Sequence, residues 1–284
     1  MALSPGVIAL VLLAALCHAS WNALVKSGAD RLVMMNYTIG FSGVISFFIA
    51  PFVPLPAAAA WPFLIGSTLI HLTYYASLIY AYKHGDLSQV YPIARGSAPV
   101  IVAAGAWLAA SEALSPAELL GVLIVSGGIV SLAWRGRRQA RPDGEVKAVG
   151  FALLTACAIG GYSLVDGMGV RRAGNAASYI VWLFIFEIVP LFAFTWYRRR
   201  GRLVAAFAPH LKIGLIGGVI AGTAYAIAIW AMSQGPMAHV VALRETSVIM
   251  AAIIGALVLK EPFGPRRIAA AAVVTLGALL LQVG

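Results

Sequence analysis

Apolar runs bounded by charge, proline or glycine recur ten times along the chain, at approximately 5–25, 32–53, 61–82, 89–110, 116–134, 147–167, 177–197, 211–232, 239–259 and 265–283. Each is close to the about 20 residues that an α-helix needs to cross roughly 30 Å of hydrocarbon, at about 1.5 Å per residue. The pattern predicts an all-α integral membrane protein of ten transmembrane helices, with no length left for a soluble domain. The first run, VIALVLLAALC, is expected as a retained helix. No Lys or Arg precedes Lys26, and Leu16 stands where a lipoprotein-type cleavage site needs a small residue. Composition agrees: 61% of the 284 residues are hydrophobic, against roughly 45–50% in soluble domains. Cys17 and Cys157 both fall inside spans and are expected as buried small hydrophobes, not a disulfide.

The formal charge of +10 suggests an acidic partner until the charges are placed. Of the 20 Lys and Arg, sixteen lie in the odd-numbered connections between spans, and only Arg171 and Arg172 lie in the even ones. Cytoplasmic loops carry the excess of Lys and Arg, so the odd connections are expected on the cytoplasmic side and both tails outside. The basic balance reflects topology; nucleic acid is not an expected partner. Arg95 and Arg244, the last two cations, lie inside spans.

The stretch GDLSQVYPIARG at 85–96 has a downstream relative, GPMAHVVALRE at 235–245. Gly85, Val90, Tyr75, Ala76, Ile79 and Ala81 match residues 150 positions on; after a one-residue deletion Arg95 matches Arg244, Glu112 matches Glu261 and Pro116 matches Pro265. The chain therefore reads as two five-helix repeats, 1–134 and 146–284, joined by a polar linker at 135–145. Five spans per repeat invert the second copy, and the bias in Lys and Arg switches connections between the copies as inversion requires. Inverted repeats are common in secondary carriers, whose central site lies between the repeats. The copy lacks Pro92, so a proline kink is expected in the first half alone.

The aromatic-polar CHASWNALVK of the first helix, the GDLSQVYPIAR entry to the fourth and the following SEALSPAE resemble the EamA family of the drug/metabolite transporter superfamily. The resemblance covers essentially the whole chain. It implies a carrier of small metabolites, often an exporter of amino acids in a bacterial inner membrane, with helices 5 and 10 set to the side. Family members are often drawn with both termini cytoplasmic, opposite to the charge-derived orientation. Where the first helix has Trp21, Asn22 and Lys26, the sixth has Tyr162, Ser163 and Gly167, so the halves are expected to contribute unequally.

Helical spacing puts His18, Trp21 and Asn22 on one face of the first helix and His71, Tyr74 and Tyr75 on one face of the third, and aligns Tyr91 with Arg95 on the fourth. With Tyr162, Tyr225 and Arg244 these are the candidate substrate-binding residues: rings to stack on apolar or cationic groups, polar atoms to orient the rest. Trp and Tyr near helix ends also form interfacial belts, which is the competing explanation. Arg95 and Arg244 are expected to mark two mouths of one pathway, one towards each membrane face. Glu187, Glu245 and Asp166 are candidate gating or coupling acids, because ionisable groups inside a bilayer usually line a path or pair with one another. Gly214, Gly218 and Gly222 form a seam for close helix packing.

Two other classes stay open. His18-x-x-x-Asn22 and Gly40-Phe41-Ser42-Gly43 resemble motifs of rhomboid intramembrane serine proteases, with Ser42 as nucleophile and His71 as base. A lipid flippase or passive channel would fit the same scaffold. No phosphate-cradling Gly-Lys motif, H-E-x-x-H or Cys/His cluster occurs, so no cofactor or metal is expected and the protein is not expected to be an enzyme. The expected partners are a small-molecule substrate and membrane lipids, for a monomer or homodimer.

Overall fold

The computed structural model describes residues 3–27, 31–85, 87–133, 142–199, 208, 211–257 and 264–283, among which there is no strand. Its helices are α1 (Pro5–Ser27), α2 (Arg31–Ile49), α3 (Trp61–His84), α4 (Leu87–Ala110), α5 (Pro116–Val130), α6 (Pro142–Arg172), α7 (Ala176–Arg199), α8 (Leu211–Gln234), α9 (Met237–Arg244), α10 (Ser247–Leu257) and α11 (Pro265–Val283). Among the described residues, six helical segments are long and apolar enough to cross a membrane: Ala58–His84, Gln89–Ala110, Pro116–Ala133, Val146–Arg172, Ala176–Tyr197 and Leu211–Gln234. Shorter apolar helices cover Pro5–Trp21, Ile39–Phe52 and Ile268–Gln282. The chain is thus a multi-pass helical membrane protein. Its outward face carries Phe47, Phe48, Phe52, Trp107 and Leu108, all exposed, as a surface solvated by lipid tails requires. Cys157 is exposed on that surface and Cys17 half-buried; both are free. The expectation of two buried cysteines is corrected for Cys157, since a lipid-facing position is already apolar.

The predicted ninth span, 239–259, is not one helix. α9 ends at Arg244, Glu245 and Thr246 form a turn, and α10 starts at Ser247. Thr246 Oγ1 donates to Leu243 O at 2.7 Å and Thr246 N to the same carbonyl at 3.0 Å, which draws that carbonyl out of the regular ladder. In the first half α4 runs as one helix through both Pro92 and Pro99. The copy without the proline is the one that breaks.

α3 and α4 lie along α6; α8, α9 and α10 lie along α1; α2 crosses α7, and α5 packs on α11. Each of these pairings joins the first half of the chain to the second. The α5–α11 contact is close because Gly121 and Gly277 face each other: a Cβ on Gly277 would stand 2.8 Å from Gly121 O. Gly214 and Gly218 pack on Tyr37 and Phe41 of α2. Polar side chains join helices within the bundle, with Asn36 Nδ2 donating to Thr195 Oγ1 at 2.6 Å and Thr155 Oγ1 to Ser77 Oγ at 3.0 Å. α5 starts with a capping box: Ser115 Oγ accepts from Glu118 N at 3.2 Å and Glu118 Oε2 from Ser115 N at 2.6 Å. The other oxygen of Glu118 faces His239 Nε2 of α9 at 3.2 Å.

Candidate functional site: a charged aromatic cavity

A cavity of about 130 Å³ lies where α1, α2, α3, α4, α6, α7, α8 and α9 converge. That compares with the ≈150 Å³ apolar cavity known to admit benzene, so the space suits a small metabolite. Neither α5 nor α11 contributes a lining residue.

The lining brings together His18, Trp21, His71, Tyr74, Tyr75, Tyr162, Tyr225, Arg95, Arg244 and Glu187 of the sequence candidates, with Ser42, Phe184 and Gly222 beside them. The His71 ring stacks on Tyr162 at a centroid distance of 4.0 Å, and Tyr74, Tyr75 and Tyr225 surround it at 6.5, 6.2 and 5.9 Å. Trp21 Nε1 donates to His18 Nδ1 at 3.2 Å. The Asn22 side chain lies outside the described residues. Tyr91 is half-buried beside Arg95, just off the lining. Phe184 and the small Ala221, Gly222 and Ala224 were not anticipated. The Gly seam on the eighth span was the available signal: its last member opens onto the cavity, where an added Cβ would meet Ser42 Oγ.

The two intramembrane arginines do not mark separate mouths. Both line the one cavity. Arg95 is the ninth residue of α4 and Arg244 the eighth of α9, hence each is roughly 10–12 Å from the start of its helix. Glu112, just past the end of α4, bonds Met237 N at the start of α9, so the two helices start from opposite ends and their long guanidinium side chains meet in between. Arg95 Nη2 pairs with Glu245 Oε1 at 2.8 Å, both buried. Arg244 differs in having no carboxylate within ion-pair distance among the described residues: only 3% exposed, it lies 5.9 Å from the centroid of Tyr225, and its Nε and Nη2, like those of Arg95, find no hydrogen-bond partner there. That guanidinium is poised for an anion.

At the opposite pole stand two acids. Asp166 is fully buried, accepts from Tyr179 Oη at 2.9 Å and from Tyr225 Oη, and is also hydrogen-bonded by Ser67. Glu187 reaches the cavity itself. His71 Nδ1 is 3.1 Å from Glu187 Oε1, but its hydrogen is directed to Ser67 O at 3.0 Å, which leaves Oε1 without a hydrogen bond. Ser42 Oγ donates to Gly218 O. That hydroxyl is directed to a backbone carbonyl and not to His71, so the protease alternative gains no support. Among the described residues, no group of three His, Cys, Asp or Glu could hold a metal ion.

On the side of the even connections a clasp closes over the cavity. Arg171 Nη1 meets Glu112 Oε1 at 2.5 Å, Arg171 Nε and Nη2 donate to Met232 O and Gly235 O at 2.9 and 2.7 Å, and Glu112 Oε2 accepts from Met237 N at 2.9 Å. Beneath it Leu3, Val7, Val11, Met232, Met237 and Val240 form a buried apolar plug. Arg172 is used otherwise, over the Phe63 ring at 4.8 Å. The clasp was not foreseen, although Arg171 as an exception to the charge bias and Glu112 as a duplicated acid were both visible.

A solved crystal structure of another protein, 18% identical, superposes with a TM-score of 0.73 over 98% of each chain, a likeness of fold alone. No curated protein matches in sequence. The family model described as the EamA-like transporter family matches residues 5–134 and 146–283. Those two segments take in nearly the whole chain, which therefore belongs to the EamA-like transporter family, within the drug/metabolite transporter superfamily.

Proposed function

We propose that the protein is a secondary carrier of small metabolites bearing a carboxylate, with amino acids as the leading candidates and export as the direction, working by alternating access in the inner membrane. The ten helical runs act as ten spans in two inverted five-helix repeats, with the odd connections cytoplasmic and both tails outside. Membership in a family of transporters supports the general class, and the pairing of each half's helices with the other's supports a site built between repeats. The observation that carries the ligand chemistry is the buried Arg244 guanidinium, with two nitrogens uncommitted, facing a cavity of about 130 Å³. A carboxylate on Arg244 would gain a charge-assisted hydrogen bond, and the tyrosines would pack on the ligand's apolar or cationic remainder.

Counterflow of labelled amino acids in proteoliposomes tests this reading. Arg244→Ala removes an interaction of about 1.5–3 kcal/mol, so half-saturation should rise on the order of 10- to 100-fold, at about 1.4 kcal/mol per decade. Uptake identical in Arg244→Ala and wild type, at equal amounts of folded protein, would remove the basis for an anion site there.

A further inference from the structure

Between the helix ends, the sequence holds three acids, Asp166, Glu187 and Glu245, and two permanent cations, Arg95 and Arg244. Four of the five balance. Glu245 pairs with Arg95. Asp166, held by three hydroxyl donors, lies within electrostatic reach of Arg244. Glu187 is left over: it is 5% exposed, without a hydrogen bond at Oε1, and a carboxylate there would be an uncompensated charge inside the bilayer.

We infer that Glu187 is the carrier's proton site, that it holds one exchangeable proton when the cavity is empty, and that the ammonium group of a ligand takes that proton's place. The proposal rests on the carrier reading. The groups facing Glu187 agree with it. α3 contributes His71 and Tyr75, α6 Tyr162 and Asp166, α8 Tyr225, and its own helix Tyr179. Tyr37 of α2 packs instead on Gly214. Every ring among them is neutral unless it gains or loses a proton, and His71 is the one base. His71 turns its Nδ1 to Ser67 O, so it gives Glu187 Oε1 no hydrogen bond although the two atoms stand 3.1 Å apart. Tyr75, Tyr162 and Tyr225, which surround His71, line the same cavity as Glu187 and offer ring faces to an ammonium group there.

The exchange balances. On ligand entry the Glu187 O–H bond breaks, the proton passes to water in the cavity, and the ligand's N–H groups donate to the freed carboxylate. The buried charge is then unchanged only when the ligand's net charge is +1. The coupled class is therefore an amine of net charge +1, a basic amino acid being one that also offers Arg244 a carboxylate. A ligand of zero net charge leaves the proton where it is and moves without a proton countercurrent.

Infrared difference spectra of the reconstituted, ligand-free protein at neutral pH test the site without any ligand. A protonated-carboxyl band, shifted by deuterium exchange, should be present in wild type and in Asp166→Asn and absent from Glu187→Gln. Its absence from wild type, or its loss in Asp166→Asn alone, overturns the proposal. Proteoliposomes then test the exchange with labelled lysine and leucine. Wild type should accumulate lysine against an imposed pH gradient with one proton moving per lysine, whereas any lysine still moved by Glu187→Gln should move with no opposing proton and without gradient-driven accumulation. Lysine moving with no opposing proton, or leucine exchanged while lysine is not, overturns it. A correct band with no amino-acid exchange at all leaves the proton site standing and instead refutes the carrier reading.

Discussion

Replacing Arg171 by alanine should open the closed face of the protein. The side chain is 30% exposed and its partner Glu112 15%, so their ion pair contributes no more than about 1 kcal/mol. The larger part comes from the guanidinium's bonds to Met232 O and Gly235 O at the end of α8. Each is a charged hydrogen bond of roughly 1.5 kcal/mol at the low end of its range. Losing all three contacts costs the closed arrangement about 3–4 kcal/mol, which at about 1.4 kcal/mol per decade changes the closed-to-open ratio by a factor of roughly several hundred. Spin labels on the exposed Ala113 and Gln234 flank the clasp. In a Cys17→Ala, Cys157→Ala background, their distance distribution should be dominated by one short separation. Arg171→Ala should transfer most of that population to a longer one, and Glu112→Gln should do so in part. An unchanged distribution in an Arg171→Ala protein that is folded and thermally stable would show that the plug beneath, not the clasp, holds the face shut.

Glu118→Ala removes half of the α5 capping box, the acceptor for Ser115 N, and takes away the carboxylate 3.2 Å from His239. Losing that charge-assisted bond, at about 1.5–3 kcal/mol, should lower stability by a similar amount, read as a fall in Tm in detergent that Glu118→Gln largely avoids. Gly277→Val places carbon against Gly121 O and Val125; overpacking of about 1–3 kcal/mol is expected. Gly127→Ala, with nothing within 4 Å of the new carbon, should melt with wild type; equal melting of all three would remove the case for a tight α5–α11 seam.

Much of the architecture was legible because a bilayer allows the backbone few solutions. A run of about 20 apolar residues between charges leaves little to interpret, and helices α3 to α8 begin and end within a few residues of the runs that predict them. The ninth span misled because its composition stays apolar through the break. The cause is a hydroxyl, Thr246, bonding back to Leu243 O, and such bonding leaves no trace in hydropathy. The aromatic candidates stand out in sequence since helical spacing puts them on single faces. Arg95 and Arg244 were harder: repeat symmetry led to the expectation of two separate mouths, but depth along each helix decides where the side chains end. The Arg171–Glu112 clasp joins residues 59 positions apart, and no local periodicity relates them.

The break at Glu245–Thr246 leaves α9 as a strut of eight residues. At its N-terminal end Met237 N is tied to Glu112, and at its C-terminal end stands Arg244, roughly 10 Å away along the axis. A helix two turns long does not bend appreciably over that span, and the turn beyond it uncouples it from α10. Whatever tugs on the guanidinium in the cavity therefore pushes or tilts the far end, where the clasp is fastened. The same eight residues that set Arg244 in the cavity wall thus make one stiff piece of that wall and the clasp.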